Sequence, residues 1–149
     1  MGQVSASSSI TIAQAPERVL TALADYETMR PRILPEQYRD YTVVEGGQGT
    51  GTVATWTLQA TEKRSRNVRA TVTVEGTTIV ERDGNSSMVT TWTVTPSGSG
   101  SNSNGSGVTV TTEWTGAGGV KGFFEKTFAP IGLKKIQAQT LANLEREVR

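Results

Sequence analysis

Residues 116–149 read GAGGVKGFFEKTFAPIGLKKIQAQTLANLEREVR and contain apolar positions at spacings of three and four, the pattern of an amphipathic helix. Pro130 and Gly132 separate two apolar stripes, which are Val120, Phe123, Phe124, Thr127 and Phe128, and then Leu133, Ile136, Thr140, Leu144 and Val148. A proline inside such a pattern kinks or locally unwinds a helix. The segment therefore predicts one long C-terminal helix with a break near Pro130.

Most of the chain before this helix alternates between apolar and polar residues, which predicts half-buried strands. Three strands each contain one tryptophan, and each tryptophan lies on the more apolar face of its strand. A slip of one residue would exchange the two faces, so the alternation also predicts the registers. The predicted inward faces are Ala54, Trp56 and Leu58; Val68, Ala70, Val72 and Val74; Met88, Thr90, Trp92 and Val94; and Val108, Val110, Thr112 and Trp114.

Two short helices are predicted between the first strand, residues 4–12, and the remaining strands. Pro16 and Glu17 suit the first turn of a helix that runs to about Asp25. A second helix is predicted over residues 26–34, before Pro35 ends it. The element order predicts an α+β fold in which a curved antiparallel sheet of about seven strands wraps around the C-terminal helix.

The composition narrows the classes of function. The 149 residues fit a single domain, and they include no cysteine and no histidine. The absence of cysteine excludes disulfides. The absence of histidine removes the commonest metal ligand and the commonest general base at neutral pH. A net charge of +1 argues against a nucleic-acid partner.

We expect a cytoplasmic protein with no cofactor, no metal and no stable membrane insertion, because no secretory signal or membrane span is recognisable. We expect a monomer, with a weak dimer as the alternative.

Three glycine-rich segments are assigned to connections. Residues 46–51, GGQGTG, join two predicted strands, which favours a hairpin over a phosphate-binding loop. Residues 96–107, PSGSGSNSNGSG, are interpreted as a flexible hairpin loop. Residues 116–122, GAGGVKG, are interpreted as a hinge at the start of the long helix.

Three segments carry a resemblance to a known family: ITIAQAPERVLTALADYETMRPRILP, YTVVEGGQGTG and GGVKGFFEKTFAPIGLKKIQAQTLANLE. With the element order, they make the chain similar to the START-like (SRPBCC) superfamily of polyketide cyclase/dehydrase and lipid-transport proteins, especially its actinobacterial members. The resemblance covers nearly the whole chain. It implies the helix-grip fold and a deep hydrophobic cavity for lipids, polyketides, steroids or other apolar molecules.

Two functions remain open. The first is the binding or transport of a hydrophobic small molecule between the sheet and the C-terminal helix, and we favour it. Any one inward aromatic residue alone would be interpreted as core. The set nevertheless predicts a ligand site, with inward threonines that suit a cavity wall. The predicted ligand-binding residues are Trp56, Leu58, Met88, Thr90, Trp92, Val110, Thr112, Trp114, Phe124, Phe128 and Ile131.

The second function is a cyclase or dehydratase that acts on a polyketide-like substrate in the same cavity. Such steps need a general acid or base. Without histidine or metal, the weak catalytic candidates are Tyr26, Tyr41 and Arg82, and none has a recognisable partner in the sequence. A third possibility, a regulatory or protein-partner role, leaves no mark that we find in the sequence.

Overall fold

A computed structural model describes residues 3–61, 64–97, 105–115 and 130–149. Most of the predicted glycine- and serine-rich hairpin loop and the first part of the predicted long helix, with its hinge, lie outside the described residues. The prediction of a kink in that helix therefore stays a prediction.

The described elements follow the predicted order. They are β1 (Gln3–Ile12), α1 (Pro16–Ala24), α2 (Arg30–Ile33), β2 (Tyr38–Glu45), β3 (Val53–Thr61), β4 (Arg64–Glu75), β5 (Thr78–Asp83), β6 (Val89–Ser97), β7 (Gly105–Thr115) and the C-terminal helix α3 (Pro130–Val148). The seven strands form one curved antiparallel sheet in the order β1-β7-β6-β5-β4-β3-β2. The predicted fold class is confirmed.

The predicted strand registers are confirmed. Trp92 of β6 lies opposite Val110 of β7, and Trp56 of β3 lies opposite Val68 of β4. Directly opposed residues of antiparallel strands share one face of the sheet. All four of these side chains are buried. The tryptophan-bearing face is therefore the concave face that covers the core.

The second short helix is shorter than predicted, because a turn takes the place of its first residues. The Asp25 carboxylate accepts hydrogen bonds from the backbone N–H groups of Glu27 and Thr28, at 3.2 and 3.0 Å. Aspartate commonly forms such local turns, which compete with a helix. Since residues 27–29 belong to this turn, the helix begins only at Arg30.

The predicted hairpin at residues 46–51 joins β2 to β3 and also fastens the end of α1. Gly49 donates its N–H to the carbonyl of Ala24 at 2.9 Å, and Tyr26 donates to the carbonyl of Gly47 at 2.8 Å. Gly46 has a φ of +67°, which glycine adopts at little cost. The loop thereby holds Tyr26 beside the sheet.

α3 docks on the sheet through a buried glutamine. Gln137 Nε2 donates to the Ala6 carbonyl of β1 at 3.1 Å and to Thr112 Oγ1 at 3.3 Å. Its Oε1 accepts a hydrogen bond from Ser8 Oγ at 3.1 Å. α2 is tied to the same helix by Asn143 Nδ2, which donates to the Ile33 carbonyl at 3.0 Å. These contacts place α3 across the concave face and leave a cavity beneath it.

Candidate functional site

The cavity lies between α3 and the concave face and has a volume of about 30 Å³. Seven of the predicted ligand-binding residues line it, namely Trp56, Leu58, Met88, Thr90, Trp92, Val110 and Thr112. The opposite wall includes Leu133, Gln137 and Thr140 of α3. Such a volume holds about two water molecules, so a larger ligand must displace side chains. Met88 is suited to such movement, since methionine has an unbranched and flexible side chain.

The other predicted ligand-binding residues do not contribute described side chains to this cavity. Trp114 is fully buried on the concave face but is absent from the described lining. Phe124 and Phe128 lie outside the described residues, and so does the side chain of Ile131. Their predicted contact with a ligand stays a prediction.

A buried polar cluster forms one part of the cavity wall. Arg30 Nη1 lies 2.7 Å from Glu81 Oε2, and Tyr26 Oη donates a hydrogen bond to the same carboxylate oxygen. Arg30 Nη2 also donates to the Leu23 carbonyl at 2.7 Å. The guanidinium carbon lies 4.9 Å from the centroid of the Trp92 ring and 4.2 Å from that of Tyr26. The cluster thus joins α1, α2 and the centre of the sheet.

Tyr38 and Tyr41 complete an aromatic wall beside Trp56. Their ring centroids lie 5.9 and 6.0 Å from that of Trp56, within the usual range for aromatic pairs. The Tyr41 hydroxyl donates to the Tyr26 carbonyl at 2.6 Å. Tyr38 Oη donates no hydrogen bond to any residue that the structure describes. A ligand beside these rings would therefore meet flat apolar faces and one available hydroxyl group.

Burial controls the protonation of this site. It raises the pKa of Tyr26 well above its ordinary value, and the Glu81 charge adds to this effect. Burial likewise raises the pKa of Tyr38 and of Tyr41. For Arg30, burial opposes the charge, but Tyr26 and Glu81 raise the pKa of its guanidinium above the usual value. At neutral pH the wall therefore presents protonated hydroxyls and a paired guanidinium.

The structure separates the three catalytic candidates. Tyr41 lines the cavity, whereas Tyr26 lies behind it and is bonded to Glu81. Arg82 is exposed on the outer face, opposite Thr71 of β4. The structure therefore corrects the prediction that Arg82 is a catalytic candidate that points into the cavity. In β5 the inward residues are Ile79, Glu81 and Asp83.

The sequence analysis missed Arg30, Glu81 and Tyr38. In TIVERD, Ile79 and Val80 support opposite registers equally, so the alternation alone does not assign Glu81 a face. Arg30 lies in a four-residue helix that is too short for a periodic signal. Tyr38 begins β2, whose half-exposed residues give only weak alternation.

Three N–H groups on the lining residues have no hydrogen-bond acceptor among the described residues: Trp56 Nε1, Trp92 Nε1 and Arg30 Nε. All three are buried donors. Buried polar groups without a partner are rare in native proteins because they lose their hydration without compensation.

Metal binding has no support in the described ranges. No group of three or more acidic side chains there lies close enough together to hold an ion. No helix in the same ranges is long and apolar enough to cross a membrane.

A family model described as "Polyketide cyclase / dehydrase and lipid transport" matches residues 3–149. The chain belongs to this family and has the helix-grip fold of the START-like superfamily. A search of curated proteins finds no match. Among solved structures, the chain is similar to the KanY protein, known from an NMR solution structure. The two are 58% identical, with 99% of each chain covered and a TM-score of 0.88.

Two more distant structures share the fold. One is the Zhui aromatase/cyclase from a Streptomyces species, at 13% identity and a TM-score of 0.74, with 99% of this chain and 94% of that chain covered. The other is norcoclaurine synthase from Thalictrum flavum, at 16% identity and a TM-score of 0.70, with the same coverage of each chain. At these identities the likeness concerns the fold alone.

Proposed function

We propose that this protein binds a hydrophobic small molecule, such as a lipid or a polyketide-like compound, in the cavity between the sheet and α3. The observation that carries the proposal is the cavity lining, where Trp56, Trp92 and Leu58 face Leu133 across an unfilled space. Ligand sites in proteins are typically concave and apolar, with a few convergent polar groups. The family description, which includes lipid transport, supports the same class.

The cavity must enlarge when the ligand enters. Burial of apolar ligand surface favours binding by about 25 cal/mol per Å² of area removed from water, before the costs of association. Displacement of Met88 and of the leucines that line the cavity costs free energy and so opposes the free energy gained by burying the ligand.

Native mass spectrometry of protein purified from its own host tests the proposal. We expect an added mass that survives gentle ionisation in the wild type. The Val110→Phe variant should lose it, because Val110 lines the cavity and the larger ring would occupy that space. Thr111→Phe on the outer face of the same strand is the matched control and should retain the mass. Equal retention by both variants would contradict a ligand site in this cavity.

A second candidate, cyclase or dehydratase activity, has one supporting observation: the Glu81 carboxylate lies in the cavity wall. Against it, Glu81 Oε2 already accepts hydrogen bonds from Tyr26 and Arg30, which hinders its use as a base. The direct test is intramolecular aldol closure of a simple diketone, compared between wild type and Glu81→Gln. Turnover that depends on Glu81 would support catalysis, and identical slow rates would count against it.

A further inference from the structure

We propose that Asp40 sets the width of the cavity, because it holds the edge strand β2 in a bulge that turns the ring of Tyr41 inwards. Asp40 itself is exposed and is absent from the described lining of the cavity. The inference rests on the proposed function, since it concerns which molecules the same cavity accepts. Its starting point is an irregularity in the pairing of β2 with β3.

The pairing of β2 with β3 contains one extra residue on the side of β2. Arg39 of β2 pairs with Thr57 of β3. The next pair joins Thr42 to Thr55, so two residues of β2 lie opposite one residue of β3. Such a bulge bends its strand and changes the direction of a side chain.

Asp40 occupies the bulge in an unusual backbone conformation. Its φ is +56°, and it is the only non-glycine residue with a positive φ in the described part of the chain. This left-handed region is disfavoured for residues with a Cβ atom, although aspartate enters it more readily than most. The exposed Asp40 carboxylate forms no hydrogen bond or ion pair with a described residue. We therefore assign the role of Asp40 to its backbone conformation and not to its charge.

The bulge brings two tyrosines to one face of β2. Tyr38 and Tyr41 are three residues apart, and residues at that spacing face opposite sides of a regular strand. Here both rings line the cavity, with centroids 5.9 and 6.0 Å from that of Trp56. Without the extra residue, either Tyr41 would face outwards or β2 would have to slip along β3.

The Tyr41 ring is also held at its other end. Its hydroxyl donates to the Tyr26 carbonyl at 2.6 Å. The N–H of Tyr26 donates in turn to the Gly47 carbonyl at 2.8 Å. The bulge fixes one end of the side chain and this hydrogen bond fixes the other, so the ring is a constant part of the wall beside Trp56. A broad ligand meets this ring, whereas a slender one can pass beside it.

Substitutions at Asp40 separate its backbone conformation from its charge and from its preference for a strand. Asp40→Gly and Asp40→Asn remove the charge but accept a positive φ. Asp40→Val introduces a β-branched residue, which strongly resists a positive φ although it favours strands. Asp40→Ala resists it less strongly. Thr55→Val, at an outward-facing position of β3, is the matched control.

The first measurement needs no ligand. The chain has three tryptophans, so the spectrum of the ¹⁵N-labelled protein should contain three indole N–H signals. In Asp40→Val the Trp56 signal should move, because the rings beside it change position. It should stay near its wild-type position in Asp40→Gly, Asp40→Asn and Thr55→Val. The signals of Trp92 and Trp114 should stay in place in every variant.

The second measurement compares the dissociation constants of two neutral fluorescent probes, the slender diphenylhexatriene and the broader N-phenyl-1-naphthylamine. Asp40→Val should shift the preference severalfold towards the broader probe. Tyr41→Ala, which removes the ring itself, should shift it in the same direction. Asp40→Gly, Asp40→Asn and Thr55→Val should keep the wild-type preference. Circular dichroism checks the folding of each variant, and Asp40→Ala, with a smaller expected shift, takes the place of Asp40→Val if the latter does not fold.

The outcomes distinguish this proposal from the proposed function. A wild-type preference in folded Asp40→Val, or an unmoved Trp56 signal, would overturn the role of the bulge and would leave hydrophobic binding in place. An equal shift in Asp40→Asn would also overturn it, because the charge of Asp40 would then control the cavity. If neither the wild type nor any variant binds either probe, the proposed function is contradicted, and the control of cavity width fails with it.

Discussion

Arg30 Nη1 lies 2.7 Å from Glu81 Oε2, and the two side chains are only 3% and 6% exposed. This ion pair joins the short helix α2 to the middle of the sheet and forms part of the cavity wall. It therefore links the stability of the fold to the chemistry of the candidate site.

Removal of one partner should destabilise the protein strongly. Glu81→Leu would leave the Arg30 charge buried without a counter-charge, and we expect a loss of about 3–5 kcal/mol in the free energy of unfolding. Urea denaturation measures this loss. The double variant Arg30→Met/Glu81→Leu should recover most of it, because apolar side chains of similar size replace both charges.

The matched control for this prediction is Glu45→Leu. Glu45 lies 4.0 Å from Arg69, and both side chains are well exposed. Exposed pairs of this kind contribute at most about 1 kcal/mol. If Glu81→Leu costs no more than Glu45→Leu, the buried pair does not have the role that its geometry indicates.

The tyrosines should titrate abnormally. The chain has three, and burial raises the pKa of each. Because the pKa of each tyrosine is higher in the folded protein than in the unfolded chain, the protonated tyrosines contribute fully to stability below the unfolded pKa of about 10. This contribution is lost as the pH rises from that value towards the folded-state pKa. Stability should thus fall in alkali. The absorbance of tyrosinate should appear near pH 10 in urea and at clearly higher pH in buffer; coincident titrations would refute this prediction.

The docking of α3 should depend on one amide group. Gln137→Leu removes the hydrogen bonds to Ala6, Ser8 and Thr112 and leaves buried polar atoms unpaired. We expect a destabilisation of about 1–3 kcal/mol by urea denaturation. Gln139→Leu makes the same change at an exposed position of the same helix, where the amide donates one hydrogen bond, to Asn143 Oδ1 at 3.0 Å, and should cost less, about 0.5 kcal/mol. Similar values for the two variants would show that Gln137 does not anchor the helix.

Two glycine-to-alanine variants should have opposite effects on thermal stability. At Gly46, φ is +67° and an added Cβ would lie 2.9 Å from Thr52 Cα, so we expect a loss of more than about 1 kcal/mol. At Gly132, inside α3, an added Cβ meets no atom of the described residues within 4 Å. Alanine there should stabilise the protein by about 0.5–1 kcal/mol, because it favours the helix and restricts the unfolded chain. A stabilising Gly46→Ala would disprove the role given to this loop.

The sequence predicted the sheet well because each tryptophan-bearing strand has one clearly apolar face. Ala54, Trp56 and Leu58 leave only one sensible register, and burial confirms it. β5 lacks such a marker. A charged residue is normally assigned to solvent, so Glu81 was passed over and Arg82 on the outer face was considered instead.

The polar part of the site was beyond sequence reasoning because its partners are distant along the chain. Arg30 and Glu81 are 51 residues apart in the sequence. Contacts of the loop at residues 46–51 and of the Asp25 turn hold the segment before α2 beside the sheet. The second helix was predicted too long because residues 26–29 form a turn, which a short segment without clear periodicity does not reveal.

The central claim is that the space under α3 is a binding site for a hydrophobic molecule. Fluorescence titration with N-phenyl-1-naphthylamine, a neutral apolar probe, tests it most directly. Saturable binding is expected for the wild type and for Thr111→Phe, and loss of binding is expected for Val110→Phe, with circular dichroism confirming that each variant is folded. No saturable binding to the wild type, or equal binding to Val110→Phe, would contradict the claim.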